Sequence, residues 1–237
     1  MKLDDPAVVA HEYATETKLL ARRSIYDTSE GPSALDVLWD RIAETRARDI
    51  LEVGPGPGEL SERLVAELGA NVVAVDVSPR MVELTRARGI EAHVGDVQAL
   101  SFGDASFDLV VAAWVLFHPP DLHRALSEIE RVLRTGGRLV AATNSVRHLA
   151  ELWALVGIER TDYGFSAENG EGALRRHFAD ISVYPVAGWV TFPDTATARD
   201  YVASSIAYTH LADRVPALEG PLRVRRRNTI FVAEKAP

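Results

Sequence analysis

The chain has 237 residues, with 26 Lys and Arg against 34 Asp and Glu and a formal net charge of −8. Its 47% hydrophobic and 25% charged content excludes bulk disorder, and the absence of cysteine excludes disulfide scaffolds, thiol nucleophiles and thiolate-ligated metals. The acidic balance disfavours broad contact with nucleic acid, no apolar run reaches the ~18 residues that span a bilayer, and Met1-Lys2-Leu3-Asp4-Asp5-Pro6 lacks the apolar core of a signal peptide, so a cytoplasmic protein is expected.

Residues 7–25 read as one helix, opened by Val8, Val9, His11, Glu12 and Tyr13. The polar turn 27–32 ends it, and a second helix is expected over 33–44. The texture then changes. Asp49-Ile50-Leu51-Glu52-Val53 is a short strand that runs into Gly54-Pro55-Gly56-Pro57-Gly58 and a helix through Leu60, Leu64, Val65 and Leu68. Residues 71–76 form a second buried strand, after which Ser78 is placed to cap a helix over 79–88 that starts with Pro79. A third strand is expected over 91–96 and a fourth over 107–113. Residues 121–132 are helical, and Thr135-Gly136-Gly137 turns into a fifth strand over 138–143. This alternation specifies a parallel sheet with helices on both faces. Beyond it, 146–156, 172–178 and 195–211 look helical and 181–186 looks like a strand. Residues 223–233 alternate in a way suited to an antiparallel edge strand, and the 195–218 region is expected to cap the sheet.

Glycines at alternate positions after a strand let the backbone turn tightly and lie against a ligand. The loop is not the dinucleotide fingerprint, because Glu59 stands where the third glycine belongs and a carboxylate there sits badly with a pyrophosphate. No Gly-Lys-Ser/Thr follows, so a phosphate loop is excluded. Asp76 ends the second strand, where a carboxylate accepts both hydroxyl protons of a ribose. Asp96 ends the third, where a side-chain oxygen could accept from an adenine amino group. Each acid also has a plainer role, Asp76 as a helix cap and Asp96 as a turn former. All three features fall at carboxyl ends of adjacent strands, where open α/β sheets bind ligands.

Glu52-Val-Gly54-Pro-Gly56-Pro-Gly58, Val75-Asp76-Val-Ser78-Pro-Arg-Met81, Gly95-Asp96-Val97, Phe107-Asp108-Leu-Val-Val-Ala-Ala and Arg131-Val-Leu-Arg-Thr-Gly136-Gly137-Arg resemble the successive motifs of class I S-adenosylmethionine-dependent methyltransferases. The resemblance covers about residues 50–143 and is specific as a set. It implies an α/β, Rossmann-like, seven-stranded, mostly parallel sheet of order 3-2-1-4-5-7-6, with the last strand antiparallel and a helical cap. Within one expected domain, 1–45 is the N-terminal helical cap, 46–145 the cofactor-binding core, and 146–237 the substrate-side and cap elements completing the sheet. The resemblance further implies S-adenosylmethionine as cofactor. Gly54, Gly56 and Gly58 would line its methionine part, with Glu52 in the same binding set. Asp76 would hold the ribose, Val77 and Met81 would pack on adenine, Asp96 and Val97 would fix its edge, and Ala113-Trp114 would lie near the methionine amino group. Met81 serves equally as helix core. Arg22, Arg23 or Tyr26 of the N-terminal helix would reach the cofactor carboxylate, an exposed helix face being the simpler account of at least one arginine.

Acceptor-side candidates follow the fourth and fifth strands. His118 is a candidate base, or bonds nearby backbone. Asn144 and Ser145 face the expected pocket, or cap the next helix. Tyr163 opens the stretch 163–170, which reads either as a loop closing over a ligand or as the start of a helix at Ser166 or Asn169. The chain lacks the Asn/Asp-Pro-Pro-Tyr/Phe signature of many nucleobase and protein-amide methylases, so no nucleic-acid acceptor is expected. Arg223-Val224-Arg225-Arg226-Arg227 reads as an exposed strand whose charges discourage edge pairing, with an anion site as the alternative. The seven histidines show no metal-ligand spacing, and no metal is expected. Methyl transfer to a small molecule is the leading expectation, by a monomer or homodimer with no membrane partner. Its rivals are aminocarboxypropyl transfer or cyclisation releasing methylthioadenosine, with Asn144, Tyr163 and Glu168 orienting the cofactor amine, and a non-catalytic cofactor-binding protein.

Overall fold

The computed structural model describes residues 4–161 and 164–236, so the candidate Tyr163 lies outside the described residues. The helix expected over 7–25 is two helices, α1 (Pro6–Glu12) and α2 (Thr17–Ser24). Asp5 caps α1 by accepting from the Ala7 amide, with Pro6 at the first helical position. The break follows from tertiary competition for the Tyr13 carbonyl, which accepts the Ser78 hydroxyl at 2.7 Å. Ser33 caps α3 (Ala34–Thr45), whose Ala34, Leu38 and Ile42 recur every four residues and bury one face.

The core alternates as the sequence pattern requires: β1 (Asp49–Val53), α4 (Glu59–Leu68), β2 (Asn71–Asp76), α5 (Pro79–Ala87), β3 (Glu91–Val94), β4 (Phe107–Ala113), α6 (Leu122–Val132) and β5 (Leu133–Asn144). Then come α7 (Ala150–Leu155), α8 (Gly170–Leu174), β6 (Asp180–Phe192), α9 (Thr195–Ala203), a 3₁₀ turn at Thr209–Arg214, and β7 (Leu222–Glu234). The sheet order is β3-β2-β1-β4-β5-β7-β6, with β7 antiparallel to both neighbours. This is the expected Rossmann-like sheet. Side chains alternate along each strand, so Ile50 joins Leu38, Leu64 and Val82 on one face, while Leu51 and Val53 join Leu126, Ile129 and Phe231 on the other. A further cluster under α7 and α9 gathers Leu152, Trp153, Phe192, Tyr201 and Val215.

Several expectations are corrected. The strand expected over 181–186 runs to Phe192, and the helix expected over 195–211 stops at Ala203. The helix expected over 146–156 is confined to Ala150–Leu155, and that expected over 172–178 is Gly170–Leu174. The glycine turn at 135–137 lies inside β5. Among 164–170, Phe165 is fully buried against Phe231, and the Ser166 hydroxyl accepts from the Glu168 and Asn169 amides. These residues lead into α8 and do not form a loose loop over a ligand. The last strand is not an edge. β7 pairs along its length with β6 and at 228–234 with β5, while the edge strand β6 carries Pro185, which an edge tolerates. Among the described residues no helix is long and apolar enough to cross a membrane.

Candidate active site

A cavity of about 580 Å³ opens over the carboxyl ends of β1, β2 and β4 and extends under α1 and α2, within the size range of small-molecule pockets. Its floor is the glycine loop. Gly54 (φ +68°) donates to the Val75 carbonyl, and a Cβ there would stand 2.5 Å from a Val115 methyl carbon. Gly56 (φ +57°) would meet Leu19 of α2 at 3.4 Å. Both need the left-handed conformation that glycine adopts without strain. Gly58 differs. Its Cβ would lie 2.9 Å from the Thr85 Cα, and it is not among the lining residues, so its role is to let α4 and α5 approach.

Glu52, Asp76, Val77, Asp96, Val97, Ala113 and Trp114 all line the cavity. Alternation puts Glu52 on the same face of β1 as Ile50, where Ser61 of α4 donates to its carboxylate. Burial pushes the Glu52 pKa up to about 7. Asp76 accepts the Ser78 amide at 2.8 Å, and Ser78 itself caps α5. Burial pushes Asp76 up to about 6, against backbone hydrogen bonds from Ser78 and Gly56. Asp96 accepts from the backbone and side-chain amides of Gln98, so its turn-forming role is realised at the cavity wall. Trp114 holds φ +56°, a strained value for a bulky residue, and its indole N–H donates to Asn144 Oδ1 at 3.0 Å. The structure does not bring Met81 to the cavity. It is fully buried on α5, in the helix-core position.

The cap supplies Val9, Tyr13, Leu19, Arg22, Arg23 and Tyr26. The Arg22 guanidinium pairs with Glu12 and donates to the Ser204 carbonyl, while Arg23 pairs with Glu59. Tyr13 shares a hydrogen bond of 2.9 Å with His118 Nε2, and its pKa is pushed up to about 12, chiefly by burial. This bond ties the cap to the loop after β4. The Tyr26 hydroxyl sits 2.9 Å from His148 Nε2 and 3.4 Å from the Tyr201 hydroxyl. Asn144 lines the cavity and accepts Asn228 Nδ2 at 2.7 Å as well as Trp114. Glu168 does not line it. Its carboxylate holds the Ser145 hydroxyl and the Val146 amide.

A methyltransferase-domain family profile matches residues 51–141. The ubiquinone biosynthesis O-methyltransferase of Xanthomonas oryzae pv. oryzae is 36% identical over 135 residues, 54% of this chain and 56% of that protein. Residues 51–141 thus match a methyltransferase domain, and the chain is similar to class I S-adenosylmethionine-dependent methyltransferases. It spans about half the length of the curated relatives it matches. Among solved structures, this chain shares its fold with phosphoethanolamine N-methyltransferase 2 of Haemonchus contortus, solved with S-adenosylhomocysteine (TM-score 0.63, 18% identity, 94% of this chain and 58% of that one). It shares it equally with the [4+2]-cyclase SpnF (TM-score 0.61, 21% identity, 96% and 95%). Fold at such identity leaves the reaction open.

Among the polar and aromatic lining residues that sequence reasoning did not assign to the cofactor or acceptor site are Tyr13, Tyr201, Arg226 and Asn228. Arg226 is the clearest case, because the arginine run was expected first to be an exposed strand, with an anion site as the alternative, and Arg226 is 3% exposed. A signal was present. The expected strand order already puts the seventh strand between the fifth and sixth, and alternation along an inner strand turns every second arginine inward.

Proposed function

We propose that the protein transfers the methyl group of S-adenosylmethionine to a small-molecule acceptor bound under the helical cap. The observation that carries this reading is the joint floor of the cavity, a bare Gly54–Gly56 backbone beside the Asp76 carboxylate, which has no cationic partner among the described residues. The residues fit the group. A Cβ at Gly56 would stand on the floor itself, and Asp76 keeps lone pairs for hydroxyl donors after accepting its backbone N–H bonds.

When bound, the cofactor supplies a sulfonium-activated methyl group, so the transfer needs no metal or covalent intermediate. The protein contributes position. Asp76 would accept from the ribose hydroxyls, Glu52, Gly54 and Gly56 would border the methionine part, Val77, Asp96 and Val97 would border the adenine, and Ala113-Trp114 would close the wall beyond β4. Holding two reactants in line is worth roughly 7–11 kcal/mol of barrier. Tyr13, Phe117, Tyr26 and Trp114 line the rest of the cavity and exclude water. His118, whose Nε2 is engaged by the Tyr13 hydroxyl, is the candidate to receive an acceptor proton. The similarity to O-methyltransferases favours a hydroxyl acceptor.

The test is to incubate the protein with methyl-labelled cofactor and a panel of hydroxylated, aminated and carbon-acid metabolites. Label in an acceptor with S-adenosylhomocysteine as by-product is expected. Methylthioadenosine as by-product would replace this reading with aminocarboxypropyl chemistry, and cofactor binding without turnover across the panel would favour a non-catalytic role.

A further inference from the structure

Arg226 sits on an inner strand, lines the cavity and is 3% exposed. A guanidinium offers five N–H donors. That of Arg226 places one on the Pro32 carbonyl at 2.6 Å and another 3.5 Å from Asn228 Oδ1, at the limit of a hydrogen bond. Its Nε is buried without a partner. No carboxylate among the described residues forms a salt bridge with it, whereas the other two arginines lining the cavity are each neutralised, Arg22 by Glu12 and Arg23 by Glu59. A Cβ at Gly188, opposite on β6, would collide with the Glu30 carbonyl oxygen and stand 2.7 Å from the Arg226 Nη2, so glycine there admits both the Glu30 backbone and the guanidinium. Burying a cation with neither counter-ion nor full hydrogen bonding is unfavourable, and breaking up such a site is what a partner of opposite charge would prevent.

The place of Arg226 separates it from the ribose end. β7 lies four strands from β2 in the sheet, roughly 19 Å at ~4.8 Å per strand. Around it the cavity is walled by Tyr26, Tyr201, Trp114 and the amides Asn144 and Asn228. We propose that Arg226 binds the carboxylate of an acceptor whose remaining body is flat and largely apolar. This rests on the methyl-transfer reading and names its substrate class. One lining arginine without a carboxylate partner, beside two that are ion-paired, matches a monoanion, and the planar fork of donors suits a carboxylate. The aromatic walls take the apolar body.

The experiment uses the full chain saturated with S-adenosylhomocysteine and titrates it calorimetrically with paired probes, 4-hydroxybenzoate against 4-hydroxybenzamide and indole-3-acetate against indole-3-acetamide. The wild type is expected to prefer the acids by roughly ten- to a hundredfold. In Arg226→Gln the preference is expected to vanish, with S-adenosylhomocysteine affinity held within about twofold. No acid preference in the wild type, including no binding of either acid at ~10 mM, would overturn the proposal, as would a preference that survives R226Q. A large loss of S-adenosylhomocysteine affinity in folded R226Q also overturns it, because Arg226 would then serve the cofactor. Since Arg226 also holds Pro32, a circular dichroism spectrum accompanies the variant. If it unfolds, the paired comparison in the wild type decides alone. Failure of the wild type to bind S-adenosylhomocysteine at all is the separate failure of the methyl-transfer reading.

Discussion

Glu52 shows how the site is held at the expense of stability. Its carboxylate is buried with only the Ser61 hydroxyl to solvate it, and its pKa rises from 4.5 to about 7. An acid raised in this way keeps its proton in the folded chain after the unfolded chain has lost it. Stability therefore falls as pH rises from near 4.5 and the full cost is present above about 7, on the order of 3 kcal/mol. Glu52→Gln retains an acceptor for Ser61 and removes the charge. It is expected to match the wild type near pH 4 and to become progressively more stable through pH 7, read by urea denaturation. A gain independent of pH would sink this assignment. The comparison must be between variants, because buried His148, lowered to about 3 by desolvation, works the other way. The unfolded chain takes up the proton that His148 refuses below its ordinary value of 6.5, so this residue destabilises the fold as pH falls. Residue identity was legible where backbone geometry dictates it, as at Gly54, Gly56 and Asp76. For Arg226 it was legible only by combining the alternation of the arginine run with the strand order that puts β7 inside the sheet.

At the level of elements, the sequence shows existence and order better than extent. Strand–helix alternation from β1 to β5 is read from local periodicity, capping and glycine turns, and these survive in the structure. The N-terminal region failed because a local pattern cannot show that Ser78, 65 residues on, takes the Tyr13 carbonyl and ends α1. Likewise β6 runs on to Phe192 because it pairs with β7 across its whole length, a long-range fact. Gly58 shows how one glycine motif divides its labour. Gly58→Ala places a Cβ at φ +85° and 2.9 Å from the Thr85 backbone, so it is expected to lose roughly 2–4 kcal/mol from combined strain and overpacking. Gly69→Ala, at φ +62° with nothing within 4 Å, carries the strain alone and is expected to lose about 1 kcal/mol. Equal losses of melting temperature in the two variants would contradict the packing role given to Gly58.

Across the whole molecule, the cavity at the strand carboxyl ends of the sheet is roofed by α1 and α2, and the roof is fastened at separate points. Glu12 holds Arg22 and the Ile206 amide, Tyr13 reaches His118 and Ser78, and Tyr26 reaches His148 and Tyr201. Anchors on the loop after β4, on α5 and on the α7–α9 region make closure of the cavity a property of the fold as a unit. That cooperation between distant segments is what sequence motifs cannot display, since each motif reports on one turn of chain. The proposed cofactor seat is the floor formed by Gly54, Gly56 and Asp76. Calorimetric titration of the full chain with S-adenosylhomocysteine, in parallel with Asp76→Asn, tests it most directly. The expected result is one site per chain in the wild type and affinity lowered at least about tenfold in the variant, as for loss of a charge-assisted hydrogen bond. Absence of binding in the wild type, or undiminished binding in folded D76N, would contradict it.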